Sequence, residues 1–159
     1  MKTLIVYYSL SGNVEFVADR IANACGFDML KLSPVKKYPD HGVKKFLWGG
    51  KSAVMAETPE LELYDFTAAD YERIILGFPV WASNIAPPIR TFVKDNDLAG
   101  KQIAVFACQS GAGAEKAFAK LKEAIGTEQF EAEMILLDPK TKPNEENDRR
   151  IQDFCEKMK

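Results

Sequence analysis

Residues 4–22, LIVYYSLSGNVEFVADRIA, join a short apolar run to a helical pattern through a turn of small polar residues. The run at 4–8 is uninterrupted, which is typical of a parallel strand covered on both faces by helices. After the turn, apolar residues recur at the spacing that puts them on one helix face: Val14, Val17, Ala18, Ile21 and Ala22. The segment therefore predicts a buried strand, a turn and an amphipathic helix.

The same alternation continues along the rest of the chain. Further apolar runs lie at 29–32, 74–80, 103–108 and 134–137, and helical patterns fill most of the gaps between them. Pro87 and Pro88 stand where a first helical turn tolerates proline, and Asn144 suits a helix start. Strand and helix alternate five times, which predicts a doubly wound parallel α/β sheet in one domain spanning residues 1–159.

Composition excludes several classes of protein. The net charge is -2 and there is no basic run, which argues against a nucleic-acid partner. No apolar stretch approaches the roughly 20 residues of a membrane span, so we expect no membrane insertion and a cytoplasmic protein. The three cysteines form no C-x-x-C pair, and His41 is the single histidine, so neither a disulfide framework nor a metal site is expected.

Ligands of open α/β sheets bind beyond the carboxyl ends of the strands, and the segment after the first run, residues 9–14, fits an anion. Its backbone N–H groups lie at a helix N-terminus, Ser9, Ser11 and Asn13 add neutral donors, and Gly12 permits close approach. The loop contains no Lys or Arg, so we expect dipoles and hydrogen bonds, not a cation, to hold a phosphate. It lacks the Gly-Lys-Ser/Thr of a P-loop and the spaced glycines of a dinucleotide fingerprint. The alternative is a simple turn and helix cap.

Two later loops favour a ligand site over a simple turn. Residues 77–88 read GFPVWASNIAPP, in which Trp81 offers a flat apolar wall at a strand end, and residues 108–113 read CQSGAG. Together with SLSGNV at 9–14, they resemble the phosphate loop and the two ring-binding loops of the flavodoxin family. The resemblance covers essentially the whole chain, with the three loops in the family's order.

The resemblance implies flavin mononucleotide (FMN), a five-stranded sheet in the order 2-1-3-4-5 with helices on both faces, and one- or two-electron chemistry. By position, the phosphate would meet Ser9, Leu10, Ser11, Gly12, Asn13 and Val14. One side of the ring would meet Pro79, Val80, Trp81, Ala82, Ser83 and Asn84, and its pyrimidine edge Gln109, Ser110, Gly111 and Gly113. The chain departs from the family at Val14, where a threonine is usual, and in the third loop, which has no aromatic residue to cover the outer ring face.

The least regular segment, residues 33–70, contains one candidate cover for that face. A helix through 43–54 is predicted, weakened by Gly49 and Gly50 and ended by Pro59. Trp48 on this segment could fold over the flavin, but packing with Phe46 and Leu47 in a surface cluster is the favoured interpretation. Acidic residues, which we interpret as solvated surface, gather in and after this segment and before the last strand: Glu57, Glu60, Glu62, Asp65, Asp70, Glu72, Glu128, Glu131 and Glu133.

Other functions of this fold fit the sequence less well. A receiver domain needs carboxylates after the first strand, a phosphatase needs an Arg six residues after its Cys, and G-x-S-x-G is absent around Ser110. Cys108 is best interpreted as a small apolar residue, with a redox-active thiol as the alternative. Two functions remain open: an electron carrier with a redox partner protein, and an NAD(P)H-dependent reductase of quinones or related small acceptors. Neither needs a catalytic side chain, because the cofactor carries the chemistry.

Overall fold

Parallel strands and α-helices alternate along residues 1–39 and 42–159, which the computed structural model describes with side chains at all positions except 42–46. The strands are β1 (Thr3–Tyr7), β2 (Asp28–Lys31), β3 (Arg73–Pro79), β4 (Gln102–Gln109) and β5 (Ala132–Leu137). The α-helices are α1 (Asn13–Cys25), α2 (Gly42–Val54), α3 (Pro87–Asp95), α4 (Ala114–Ile125) and α5 (Glu145–Met158). The strands pair in the order β2-β1-β3-β4-β5, all parallel, which confirms the predicted sheet. His41 lies outside the described residues.

Two hydrophobic clusters cover the two faces of the sheet. On one face, α1 and α5 pack against β1, β3, β4 and β5 through buried residues such as Val17, Ile21 and Phe154. On the other face, α3 and α4 contribute residues such as Phe92 and Phe118. The central strands are apolar between their ends because both of their faces are buried, and full burial of each large side chain contributes about 1.5–3 kcal/mol. The prediction of helices on both faces is confirmed.

Helix α2 spans Gly42–Val54, which confirms the helix predicted through 43–54, but the prediction that Pro59 ends it is wrong. The Glu57 N–H donates to the Ser52 carbonyl (3.1 Å), and the Ala56 N–H donates to the Ala53 carbonyl (3.1 Å). Ala56 is left-handed, with φ 52°. This pair of hydrogen bonds around a left-handed residue is a Schellman ending, and it satisfies the last carbonyl groups before Pro59 is reached.

At the amino edge of the sheet, opposite the strands' carboxyl ends, one buried side chain connects β3 to the segment before β5 and to the end of α5. Arg73 at the start of β3 donates from Nε and Nη2 to the Glu131 carboxylate (2.8 and 2.7 Å). Its Nη1 also donates to the Met158 carbonyl at the end of α5 (2.9 Å). Glu131 lies at the surface, as interpreted from the sequence, and its carboxylate in addition compensates a buried guanidinium. No helix of the described residues is long and apolar enough to cross a bilayer.

Candidate functional site

A cavity of about 250 Å³ lies at the carboxyl edge of the sheet, where the loops after β1, β3 and β4 meet. Of the residues predicted to bind the cofactor, all but Gly12, Ser83, Asn84 and Gly113 line it. Its lining comprises Ser9, Leu10, Ser11, Asn13, Val14, Gly50, Pro79, Val80, Trp81, Ala82, Cys108, Gln109, Ser110, Gly111, Ala112 and Asp138. The structure therefore brings together three loops that are far apart in sequence.

The loop after β1 presents unpaired backbone donors. Gly12 begins α1 in a left-handed conformation, with φ 98°. In the first turn of α1, the Glu15 N–H donates to Ser9 Oγ (3.1 Å), whereas the N–H groups of Asn13 and Val14 have no hydrogen-bond partner among the described residues. Free amides at a helix N-terminus attract anions. The Val14 side chain is buried in the core, so its backbone alone can serve a ligand.

A lysine from elsewhere in the chain lies beside this loop, although residues 9–14 themselves contain no cation. Lys140 follows β5, and its N–H donates to Asn13 Oδ1 (2.9 Å). A Cβ built on Gly12 would lie 2.9 Å from Lys140 Nζ and 3.4 Å from its Cδ, so the lysine side chain runs over the glycine. The sequence has no cation within residues 9–14, but the fold supplies one from a different loop.

The loop after β3 forms the apolar wall. The Trp81 ring meets Tyr8 and Tyr38 edge-on, with centroids 5.7 and 5.1 Å away. Ala82 and Ser83 both have positive φ, at 51° and 59°, and the Asn84 N–H closes the turn onto the Trp81 carbonyl (3.0 Å). Such a turn costs about 1 kcal/mol for each left-handed residue that is not glycine, so the surrounding contacts must maintain it.

The residues that do not line the cavity hold these loops in place. The Asn84 side chain is buried, and its amide donates to the Ala82 carbonyl (2.6 Å) and accepts from Lys120 Nζ. Gly113 begins α4 with φ 111°, and a Cβ there would lie 2.4 Å from Ser83 Oγ. The loop after β4 is thus packed directly on the loop after β3. Gln109 Oε1 is also engaged, because it accepts the Ala114 N–H (3.0 Å).

Four lining residues were missed from the sequence: Gly50, Cys108, Ala112 and Asp138. Asp138 directly follows β5, where the rule of strand carboxyl ends could have located it, and its Oδ1 accepts a hydrogen bond from Ser110 Oγ (2.7 Å). Burial, with a smaller contribution from the Asp138 charge, raises the pKa of the Cys108 thiol well above its usual range. The thiol therefore stays protonated and lines the cavity as a small apolar group. No local pattern marked Gly50.

Trp48 does not line the cavity formed by the described residues. Its ring meets Tyr38 edge-on at 6.1 Å, and Lys36 Nζ lies 4.8 Å from its centroid. Helix α2 instead contributes the backbone of Gly50, with Gly49 against the Trp81 ring. The interpretation of Trp48 as a lid gains no support, because among the described side chains its ring contacts Tyr38 and Lys36. The favoured packing with Phe46 and Leu47 stays a prediction, since the Phe46 side chain lies outside the described part of the chain.

Comparison with known proteins agrees with this architecture. The family model described as Flavodoxin matches residues 2–148. A protein of Bacteroides uniformis ATCC 8492 superposes with a TM-score of 0.72 at 24% identity, covering 86% of this chain and 90% of that one. A flavoprotein of Lactobacillus acidophilus NCFM, solved in complex with FMN, gives 0.71 at 21% identity, covering 87% and 93%. Oxidised Flavodoxin 2 of Bacillus cereus gives 0.64 at 22% identity, covering 99% and 97%.

Proposed function

The chain belongs to the flavodoxin family, and from this premise we propose that residues 1–159 form one FMN-binding domain that transfers electrons. One observation carries the proposal: a single cavity joins free helix N-terminal amides, an aromatic wall and a glycine-containing loop. These features match the three parts of FMN, which are an anionic phosphate, a planar ring system and a polar pyrimidine edge. When bound, FMN supplies the redox chemistry.

Each wall of the cavity has a separate binding task. The N–H groups of Asn13 and Val14 and the hydroxyl of Ser11 are donors for the phosphate. Trp81 provides apolar contact for one side of the ring, and Ser110 and Gly111 border the polar edge. None of these side chains needs to exchange a proton with a substrate, as expected of a protein whose residues bind and orient a cofactor.

A reductase is the second candidate, because no aromatic side chain of the described residues covers the cavity on the β4 side. There the lining consists of Ser110, Gly111 and Ala112, and Trp48 packs elsewhere. A ring bordered by small residues is accessible to a planar reagent such as a nicotinamide. The same accessibility suits a redox partner protein, so geometry favours neither function over the other.

Anaerobic spectroscopy of the FMN-loaded protein separates the two functions. The protein is first photoreduced and then, in separate samples, mixed with NADH or NADPH. Accumulation of a one-electron-reduced flavin spectrum, without bleaching by either nicotinamide, supports the carrier. Rapid two-electron bleaching by either one supports the reductase. A protein that stays colourless and does not bind added FMN at high micromolar concentration contradicts both.

A further inference from the structure

The phosphate loop leaves a charge problem that its own residues do not solve. A flavin phosphate carries up to two negative charges, whereas residues 9–14 offer amides, hydroxyls and a side-chain amide. At position 14, a buried valine offers no side-chain hydrogen-bond donor. A positive charge to pair with the phosphate is therefore either supplied by another segment of the chain or absent.

Lys140 is positioned to supply that charge. Its backbone is anchored to the phosphate loop itself, because its N–H donates to Asn13 Oδ1 (2.9 Å). Its side chain runs along Gly12: a Cβ built on that glycine would lie 2.9 Å from Nζ and 3.7 Å from Cε. The residue before it, Pro139, is buried, which limits the freedom of the segment that carries the lysine.

The ammonium of Lys140 is available for an anion. Among the described residues, no carboxylate oxygen lies within ion-pair distance of Lys140 Nζ. On α1, the Glu15 carboxylate is already engaged by Lys31 Nζ (2.9 Å) and the Tyr7 hydroxyl (3.2 Å). The Lys31 hydrogen bond is the main cause that lowers the pKa of Glu15, and the Lys140 charge is a minor one. The helix N-terminus and the lysine ammonium therefore both contribute positive charge near Gly12.

We propose that Lys140 is a specificity-determining residue of the flavin site: its ammonium pairs with the phosphate of FMN and makes the site prefer phosphorylated flavin over riboflavin. The proposal rests on the proposed function, because it requires the phosphate end of the flavin to lie at residues 9–14. This role gives the loop after β5 a part in ligand binding, which no pattern in the sequence of that loop predicts. The interaction is a charge-assisted hydrogen bond on an exposed side chain, so salt weakens it.

Binding of two ligands to the flavin-free full-length chain tests this role. FMN and riboflavin are titrated separately by flavin fluorescence, at low and at high salt, against the wild type and Lys140→Gln. We expect Lys140→Gln to raise the Kd of FMN about tenfold at low salt. The Kd of riboflavin should stay unchanged, and the variant should lose most of the salt dependence of FMN binding. Lys140→Arg keeps the charge and should retain the preference for FMN.

Lys142→Gln is the matched control. Lys142 is exposed in the same loop and is held through its backbone N–H, which donates to the Asp138 carbonyl (2.7 Å). The same loss of one charge there should leave the Kd of FMN unchanged. An unaltered ratio of FMN to riboflavin affinity in Lys140→Gln, or an equal effect of Lys142→Gln, overturns the role of Lys140 alone. A wild type that binds no FMN overturns the proposed function together with it.

Discussion

At the scale of single residues, Gly113, which was predicted to border the cofactor, has a packing role between two loops. Its φ of 111° is accessible mainly to glycine, and a Cβ would lie 2.9 Å from the Cα of Ser83. Because that neighbour is backbone, no rotamer change can make room. Gly113 thus allows two loops of the candidate site to pack against each other.

Gly113→Ala is expected to destabilise the protein by about 3 kcal/mol, which combines a strained φ with overpacking. The free energy of unfolding, measured by urea denaturation, checks this value. Gly126→Ala is the matched control at the other end of α4, because Gly126 also has a positive φ (85°) but has nothing within 4 Å of a built Cβ. Gly126→Ala should lower the free energy of unfolding by only about 1 kcal/mol, which is the cost of the strained φ alone. Equal losses in the two variants would show that Ser83 gives way.

The difference between Lys140 and Ser11 shows what local sequence can predict about the site. Ser11 lies within a strand-turn-helix pattern, so its place at a helix N-terminus follows from neighbouring residues. Lys140 lies in a different loop, more than 120 residues from Gly12 in the printed sequence, and no periodicity connects the two. Only the β2-β1-β3-β4-β5 order and the short loop after β5 bring them together. Asp138 is an intermediate case, since it follows a strand whose end could be anticipated.

At the scale of elements, α2 is a helix whose glycines serve the site. Gly49 faces the Trp81 ring, where a Cβ would lie 3.2 Å from two ring carbons. Gly50 lines the cavity, and a Cβ there would make an ordinary 3.9 Å contact with Ala82. The two glycines lower helix propensity, as expected from the sequence, but only Gly49 is required by packing.

Alanine substitution in α2 should therefore have opposite outcomes at neighbouring positions. Gly50→Ala is expected to stabilise the flavin-free protein by up to about 1 kcal/mol through helix propensity. Gly49→Ala should not show this stabilisation, because the Trp81 ring must move to make room for the methyl group. The same movement should shift the tryptophan fluorescence. Urea denaturation followed by intrinsic fluorescence measures both effects. If Gly49→Ala is as stabilising as Gly50→Ala, the helix does not rest on Trp81.

The ends of the strands and of α2 were predictable to within two residues, whereas the way in which α2 ends was not. Strand β3 is buried along residues 73–78, so its composition alone marks it. Helix α2 ends at a Schellman turn built around Ala56, a residue that carries no turn preference in a sequence. Edge strand β2 was predicted only as a short apolar run, 29–32, and most of its residues are exposed.

At the scale of the whole molecule, the sheet separates stability from binding. The cavity lies at the carboxyl ends of the strands, and the Arg73–Glu131 pair lies at the amino end of β3. The seven residues of β3 span roughly 20 Å at about 3.3 Å per residue. Sites this far apart, with no shared contacts, are expected to contribute additively to stability.

Glu131→Gln tests this separation. It leaves the Arg73 guanidinium, whose side chain is 8% exposed, without its countercharge, and Glu131 itself is 29% exposed. The intermediate exposure predicts a loss of about 2 kcal/mol, less than for a fully buried pair. FMN at 100 times the wild-type Kd should then add about 2.7 kcal/mol to the free energy of unfolding in both wild type and variant. Urea denaturation with and without FMN measures both quantities.

Glu133→Gln provides the control two residues further along the chain, on β5. Glu133 pairs with Lys122 at 3.2 Å, and both side chains are substantially exposed, so its loss should change stability by less than about 0.5 kcal/mol. A smaller FMN increment in Glu131→Gln than in wild type would show that the amino edge of the sheet is coupled to the cavity. Equal increments would mean that the buried ion pair stabilises the sheet on which the loops stand, while the loops alone determine how tightly the cofactor is held.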